Sequence, residues 1–345
     1  MSSMGVKQGI SMSGLYKSLI YLSVLTLPFQ SLCEESTYDI QKMGEQQAFE
    51  NGRLLRAQFK NLVARDYLKY AADLGNASAA YLYAMEVANY RTTVRTPPES
   101  QRYLLQAAQG GNRQAMRELY ENANWLRNNE RALWKQRYHD ALIELGASMP
   151  SQAAYELALY YQISDRPRSD FYLNVAVGFA HPAALLLKAE QINQGEGNFP
   201  IPGSRVTLAR ETYLKAAEMG HIPAIRRYIQ FLENKGKYRE SYRWRQQALE
   251  SGDIRSLVVM GNILSGKSER YRFVGLNLIQ AKAYFSIYVE NAGNDRLSNV
   301  YQYSQEQIVD ISNKLTEREK GLALEIESKL KKKRFFNYDM YWNYY

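Results

Sequence analysis

The sequence predicts an all-α protein, built as a right-handed α-solenoid of stacked helix pairs. Two observations favour this fold class: a short motif recurs about every 36 residues, and each copy has the pattern of two helices joined by a turn. The chain has 345 residues, of which 46% are hydrophobic and 23% are charged, so it is too apolar for a disordered chain. Its length accommodates one elongated repeat array with further segments at both ends.

A small residue at the end of each first helix sets the register of the repeat. These register residues are Gly75, Gly111, Gly146, Ala180, Gly220, Gly252 and Gly293. The clearest copies of the motif cover residues 67–85, 103–120 and 213–232. Because chance similarity would not keep one register through all the copies, we expect about seven helix pairs between residues 61 and 300.

The residue types around each turn explain why a copy folds as two helices. Gly ends the first helix, since a left-handed terminating residue is least costly without a side chain. The next position mostly holds Asn, His or Asp, which suit the start of the second helix, and Pro182 and Pro223 fall in the first turn of that helix. His181 and His221 share this position, so we interpret them as capping residues and not as metal ligands.

The core of the motif, which reads Ala71-Ala72-Asp73-Leu74-Gly75-Asn76 in the first clear copy, resembles the Sel1-like repeat, a relative of the tetratricopeptide repeat. The resemblance covers roughly residues 60–300 and implies a superhelical array with a long curved surface. The second Gly-rich segment of that repeat is reduced to a trace at Gly195-Glu196-Gly197. A plain tetratricopeptide array, with a period of about 34 residues, is the alternative.

Residues 1–33 have the pattern of a secretory signal peptide. Lys17 precedes an uncharged, mostly apolar run over residues 18–27, about half of the ~20 residues that span a bilayer, and Glu34-Glu35 follows the segment. Cleavage after Cys33 would leave a mature chain without Cys, which suits an oxidising periplasm. We therefore predict a periplasmic protein.

Cys33 also raises the alternative of lipidation. A lipoprotein box has Leu three residues before the Cys and a small residue directly before it, whereas this chain has Gln30 and Leu32 at those positions. The pattern favours soluble export, and an outer-membrane lipoprotein or a secreted protein are the alternatives.

Atypical terminal units are expected at both ends of such an array. Residues 34–60 are predicted to form a pair of capping helices, and residues 301–334 a second pair. Ser304-Gln305-Glu306-Gln307 and Thr316-Glu317-Arg318-Glu319 each have the pattern of a capping box. These boxes predict helices over about 305–315 and 317–333.

An aromatic tail, residues 335–345, follows the basic run that includes Lys331, Lys332 and Lys333. Basic residues beside aromatic ones are typical of peripheral contact with an anionic membrane. Insertion into a partner protein and packing back onto the last helix are the alternatives.

The charge of the chain excludes one class of partner. Lys and Arg total 44 against 35 Asp and Glu, a net charge of +9. Most of the excess lies in residues 1–33 and in the basic run at 329–334, so the body of the chain is nearly balanced. Nucleic-acid binding calls for a basic face and a recognisable motif, and the sequence has neither.

The sequence contains no motif of a known catalytic or cofactor site. It lacks the signatures of serine hydrolases, zinc proteases and kinases, and His139 has no Cys or carboxylate at ligand spacing. We therefore predict a non-enzymatic protein without a cofactor or a metal ion.

Tyr, Trp and Arg commonly anchor protein partners, and the chain has 28 Tyr. Seven such residues are the candidate partner-binding side chains of a concave repeat surface. They are Tyr90, Tyr161, Arg226, Arg227, Tyr242, Arg243 and Trp342.

These features predict a periplasmic scaffold or adaptor that binds envelope proteins. The resemblance to exported Sel1-like proteins implies a place in a polysaccharide-secretion system or another assembly of the bacterial envelope. The alternatives are a polysaccharide-binding module that uses exposed aromatic residues such as Trp125 or Trp342, and a secreted host-interaction factor.

Overall fold

The computed structural model describes residues 40–89, 95–295 and 299–342. The chain divides into two units, residues 1–43 and residues 44–345. In the first unit, residues 40–43 form a turn in which the Met43 amide donates to the Ile40 carbonyl over 3.0 Å. The predicted signal peptide, with Cys33, lies outside the described residues.

The second unit is a succession of α-helices. In chain order they are α1 (Glu45–Ala57), α2 (Asn61–Asp73), α3 (Ala77–Asn89), α4 (Pro98–Gln109), α5 (Arg113–Glu121), α6 (Asn128–Ser148), α7 (Pro150–Tyr161), α8 (Arg166–Gly178), α9 (Pro182–Gln194), α10 (Ser204–Glu218), α11 (Ile222–Asn234), α12 (Tyr238–Glu250), α13 (Ile254–Leu264), α14 (Leu278–Asn291), α15 (Asn299–Ser312), α16 (Glu317–Leu330) and α17 (Tyr338–Trp342). A 3₁₀ helix, Glu269–Val274, precedes α14. The described residues contain no strand, only an isolated parallel bridge between Asp253 and Phe336. The prediction of an all-α array of helix pairs is confirmed.

The predicted register residues lie where the first helix of a pair gives way to the second. Gly75, Gly111, Gly220 and Gly252 have φ angles of 106°, 86°, 77° and 84°, in the left-handed region that favours Gly. Ala180 adopts the same conformation, with φ 55°, and its Cβ makes this conformation strained. One backbone geometry therefore recurs in at least five pairs.

The first Ala of the motif has a hydrogen-bonding role in these turns. Its carbonyl accepts the amide of the residue after the register position, which closes the turn at the helix end. The donor and acceptor pairs are Asn76 to Ala71 (3.0 Å), Asn112 to Ala107 (3.0 Å), His181 to Ala176 (2.9 Å) and Asp253 to Ala248 (3.1 Å). These four Ala are at most 1% exposed, because a neighbouring helix packs directly against them.

The third pair departs from the predicted register. Gly146 was expected to end a helix, yet α6 continues through it to Ser148, and α7 begins at Pro150. Proline disfavours helical geometry in the residue before it, and Met149 has φ −135° and ψ 67°. The position of Pro150 therefore sets this boundary, and the prediction from Gly146 was wrong by a few residues.

The helices at the two ends also differ from the predictions. Within residues 34–60 the structure describes one helix, α1, and the turn at 40–43, where we expected a helical pair. The predicted capping box at Ser304 was wrong, because Ser304 is buried inside α15 and its hydroxyl donates to the Val300 carbonyl over 2.7 Å. The box at Thr316 is confirmed, since the Thr316 amide donates to Glu319 over 2.8 Å and the Glu319 amide donates to the Thr316 hydroxyl over 3.3 Å.

The two ends of the array are in contact with each other. The Gly293 amide donates to the Gln58 carbonyl over 2.6 Å, and the Leu62 amide donates to Asp295 over 2.8 Å. The Asn337 amide donates to the carbonyl of Ala57, the last residue of α1, over 2.8 Å. The predicted tail thus packs inside the fold and reaches the first helix, not only the last one.

Two register glycines permit a test of this closure. A Cβ on Gly252 would lie 2.5 Å from the Arg334 carbonyl oxygen, whereas a Cβ on Gly220 would meet no atom within 4 Å. Both Gly→Ala changes introduce left-handed strain of about 1–2 kcal/mol. We expect Gly252→Ala to lower the free energy of unfolding by about 1–3 kcal/mol more than Gly220→Ala, measured by urea denaturation. Equal losses in the two variants would contradict the close approach at Gly252.

Candidate functional site

Residues 335–342, here called the C-terminal clasp, join the first helix of the array to its later units. Phe335 is fully buried. The Phe336 amide donates to the Gly252 carbonyl over 3.0 Å, and the Phe336 carbonyl accepts the Ile254 amide over 3.1 Å. The clasp is therefore bound through its backbone at the turn between α12 and α13, much as an added strand would be.

Side chains of α11 hold the acidic part of the clasp. Arg226 donates to Asp253 over 2.6 Å and to Asp339 over 2.8 Å, so one guanidinium joins α11, the start of α13 and the clasp. Asp253 is 3% exposed, and a carboxylate buried to this degree needs a cationic partner. The predicted partner-binding residue Arg226 thus serves an intramolecular contact.

Helix α1 holds the aromatic end of the clasp. The Arg53 guanidinium lies over the Tyr341 ring, 3.9 Å from its centroid, and donates to the Tyr341 hydroxyl over 2.6 Å. Arg56 donates to the Met340 carbonyl over 3.0 Å. Trp342 lies at the rim, 42% exposed, with the Arg53 guanidinium 5.5 Å from its ring.

The capping residues of the second helices also connect neighbouring pairs. Asn76 donates to Glu45 over 2.9 Å, and Asn112 donates to Ser78 over 3.3 Å. Glu45 lies in the first turn of α1, and Ser78 lies in the first turn of α3, the second helix of the preceding pair. Since the same side chains accept amides of their own helices, each Asn caps one helix and also bonds to a side chain at the start of another.

His181 has the same double role, which confirms its interpretation as a capping residue. Its Nδ1 accepts the Ala184 amide over 3.3 Å, so the proton of the neutral ring lies on Nε2, which is 2.9 Å from the Gln152 side-chain oxygen. Burial lowers the pKa of His181, although the Glu156 carboxylate opposes that shift. The ring is therefore neutral at pH 7.

His221 occupies the equivalent position without a capping hydrogen bond. It contacts the clasp instead, with its ring centroid 5.5 Å from that of Tyr338 and the planes nearly perpendicular. Burial lowers the pKa of His221 to about 4; His181 and Arg226 act in the same direction, and the Asp339 carboxylate opposes them. A charged His221 is thus disfavoured beside the clasp.

The remaining predicted binding residues do not converge on one place. Tyr161 stacks on Tyr172 with 5.8 Å between ring centroids, and its hydroxyl lies 2.9 Å from His139. Tyr242 packs against the aromatic cluster around Tyr271. Arg243 is exposed on α12, and Tyr90 lies outside the described residues. Their role in partner binding stays a prediction.

A polar groove of about 430 Å³ lies between the C-terminal halves of α9 and α11 and the intervening α10. It contains one of the predicted residues, Arg227, whose Nε lies 2.8 Å from a Glu190 carboxylate oxygen. The other lining residues are Asn193, Gln194, Val206, Tyr213, Gln230, Phe231, Asn234 and Lys235. We call it the amide groove, because four of its side chains are carboxamides.

A second groove, of about 860 Å³, lies at the equivalent place in an earlier unit, between α3, α4 and α5. Both grooves are lined by the residues ten and thirteen positions after a register residue. In the amide groove these residues are Glu190 and Asn193, and in the second groove they are Met85 and Ala88. Trp125 borders this second groove. Our sequence analysis missed the carboxamides of the amide groove. A comparison of equivalent positions between units would have found them.

The basic run remains at the surface. Lys331, Lys332 and Lys333 are exposed, and the Lys331 ammonium lies 2.9 Å from the Glu290 carboxylate. Most of the clasp aromatics pack inward, so any membrane contact would depend mainly on these Lys residues.

Within the described part of the chain, no helix combines the length and the apolar composition needed to cross a bilayer. Over the same residues, no group of three or more His, Cys, Asp or Glu is placed to hold a metal ion.

The turn chemistry agrees with the resemblance drawn from the sequence. Buried Ala, left-handed Gly and capping Asn or His occupy the positions that the sequence motif assigns to them, and they join helix pairs of the expected length. The repeat resembles the Sel1-like type. No family model matches the chain, and no curated protein matches its sequence.

Several solved structures are similar to this array. A Sel1 repeat protein from Oxalobacter formigenes is 18% identical with a TM-score of 0.38, over 95% of this chain and 94% of that one. A protective antigen of uropathogenic Escherichia coli, with an SLR fold, is 16% identical with a TM-score of 0.41, over 89% of this chain and 65% of the antigen's length. An immunity protein of Pseudomonas aeruginosa is 18% identical with a TM-score of 0.39, over 62% of this chain and 81% of that one.

Adjacent arginines on α11 provide a matched test of the clasp contact. Arg226→Ala leaves the buried Asp253 carboxylate with the Ser256 hydroxyl but without its cationic partner, and we expect a loss of about 3–5 kcal/mol in the free energy of unfolding. Arg227→Ala removes an ion pair whose Arg side chain is 54% exposed, and we expect a loss of about 1 kcal/mol or less. Both are measured by urea denaturation at pH 7. Similar losses in the two variants would show that the Arg226 contacts contribute little.

His221 gives the fold a dependence on pH. Its pKa falls from 6.5 in the unfolded chain to about 4 in the folded one, so the unfolded chain binds more protons between these values. The contribution of His221 to stability is therefore full above about pH 6.5 and decreases as the pH falls towards 4. We expect His221→Asn, which suits the same capping position, to reduce this slope in denaturation measurements at several pH values. His181, whose pKa is also lowered by burial, makes a smaller contribution to the pH dependence of stability, in the same direction. Identical slopes for both proteins would exclude His221 as the source.

Proposed function

We propose that the protein is a non-enzymatic adaptor, exported to the periplasm, that holds proteins of the bacterial envelope together. Export is supported by the signal-peptide pattern of residues 1–33. A structural role is supported by the buried carboxylates, since Glu86, Glu156 and Asp253 each pair with an Arg. Such an adaptor would act within a polysaccharide-secretion system or another envelope assembly.

The observation that carries the proposal is the distribution of exposed apolar side chains. Among the described residues, helices α3, α5, α7, α9, α11 and α13 carry no exposed Leu, Ile, Val, Met, Phe or Trp. Such side chains lie instead on first helices of the pairs, as with Phe171 at 62% exposed, on turns, as with Ile163 at 100%, and on the terminal helices α15, α16 and α17. Exposed apolar side chains that lie close together are typical of protein contact surfaces.

Three of these side chains occupy one register position. Leu74, Phe179 and Met219 each directly precede the left-handed residue, and they are 49%, 55% and 50% exposed. Phe179 and Met219 belong to consecutive pairs, so they end neighbouring first helices. We call these two residues the docking edge. Both side chains are exposed, and the clasp binds a different register turn, the one at Gly252.

The closure of the array supports the same function. A surface that is already ordered before binding loses less conformational entropy when a partner docks. Contacts such as Gly293 to Gln58 restrain the ends of the array and thereby limit the motion of the pairs between them.

A matched pair of variants tests the docking edge. We expect Phe179→Ala/Met219→Ala to lose capture of the envelope partner by about tenfold or more, because central apolar anchors dominate most interfaces. Leu74→Ala, at the same register position in the first pair, should retain capture. The measurement is crosslinking in native envelopes followed by quantitative mass spectrometry, with each variant's melting temperature recorded. A partner captured equally by all variants, or only cytosolic partners, would contradict the proposal.

A further inference from the structure

The amide groove has a lining suited to a ligand rich in hydroxyl groups. Asn193 and Gln194 come from the end of α9, and Gln230 and Asn234 come from α11. All four side chains are exposed, and each carries both hydrogen-bond donors and an acceptor. A sugar hydroxyl likewise donates and accepts, so neighbouring hydroxyls and carboxamides can pair without leaving a polar group unsatisfied.

The charge in the groove favours a neutral ligand. Arg227 is paired with Glu190 at 2.8 Å, which leaves Lys235 as the one lining cation without a lining carboxylate of its own. The helices α9 and α11 both end at the groove, and helix C-termini carry partial negative charge. This negative charge offsets Lys235 and disfavours an anion.

Phe231 provides a half-buried aromatic surface in the groove, and behind it lies Tyr213, which is only 4% exposed. Tyr213 and Phe231 lie with ring centroids 6.1 Å apart and planes inclined by 45°. The C–H face of a pyranose ring packs on such aromatic surfaces while its hydroxyls project to the sides. The volume of about 430 Å³ falls within the ~300–1,000 Å³ typical of small-molecule sites.

The same lining argues against a peptide ligand. Peptide recognition depends on apolar pockets for anchoring side chains, or on an exposed strand edge or helix groove. The amide groove is mostly polar, Tyr213 is almost completely buried, and Phe231 is half-buried. From these observations we infer that the amide groove, built by α9, α10 and α11, binds a neutral oligosaccharide.

The test uses the purified full chain and four named probes. Cellotetraose and chitotetraose are the neutral saccharides, tetragalacturonate is the anionic one, and tetraalanine represents a peptide. Isothermal titration calorimetry and saturation-transfer NMR measure their binding. We expect at least one neutral tetrasaccharide to bind in the millimolar range or tighter, and the other two probes to bind much more weakly or not at all.

Variants locate the bound saccharide. Gln230→Ala/Asn234→Ala removes two exposed carboxamides of the groove, and we expect about tenfold weaker binding. Gln246→Ala/Gln247→Ala removes two exposed carboxamides of α12, outside the groove, and should leave the affinity unchanged. Thermal denaturation checks that both variants fold.

Three outcomes would overturn the inference: no binding of either neutral tetrasaccharide, preference for tetragalacturonate or tetraalanine, or equal affinity of the groove variant and the native chain.

The result of the saccharide titration is independent of the docking edge, because Phe179→Ala/Met219→Ala leaves the lining of the groove intact. Loss of partner capture with retained saccharide binding, or the reverse, would separate the two proposals.

Discussion

Helical-repeat arrays stack each unit only on its neighbours, so their two ends are usually far apart. Here residues 335–342 lie between α1 and the turn at Gly252, and they bind both through backbone hydrogen bonds. Phe335 and Asn337 are almost completely buried in this contact. The long-range contact holds the first and last units together and also covers part of the surface that an open array would leave for partners.

The second helices show how one position can keep its structural role while its residue changes. Asn76, Asn112 and His181 each cap their own helix and bond to the helix of the preceding unit. Ion pairs also connect neighbouring second helices, as between Arg113 on α5 and the buried Glu156 on α7. Such pairs add little net stability over an apolar contact, but breaking one is costly, so they favour a single alignment of neighbouring units.

The surfaces proposed for binding arise where units differ from one another. The tenth and thirteenth positions line both grooves, yet Met85 and Ala88 make one of them more apolar, whereas Glu190 and Asn193 make the other polar. Phe179 and Met219 directly precede their register residues, and the equivalent residue of the second pair is Gly110. The repeat thus supplies one backbone geometry, and substitutions at a few exposed positions decide which ligand each part of the array suits.

The period, the all-α class, the left-handed glycines and the capping of Asn76, Asn112 and His181 followed from the sequence, because they depend on contacts within a few residues of each turn. The local errors had local causes: Pro150 overrides Gly146, and the apolar surroundings of Ser304 extend α15 through a pattern that resembles a cap. Only the tertiary structure decided that Arg226 binds the clasp, that Trp342 lies beside Arg53, and that four carboxamides share a groove with Arg227. The contacts of the clasp with α1, α11 and the Gly252 turn join residues more than eighty positions apart, and the groove depends on the packing angle of three helices. Neither is encoded in the spacing of residues along one chain segment.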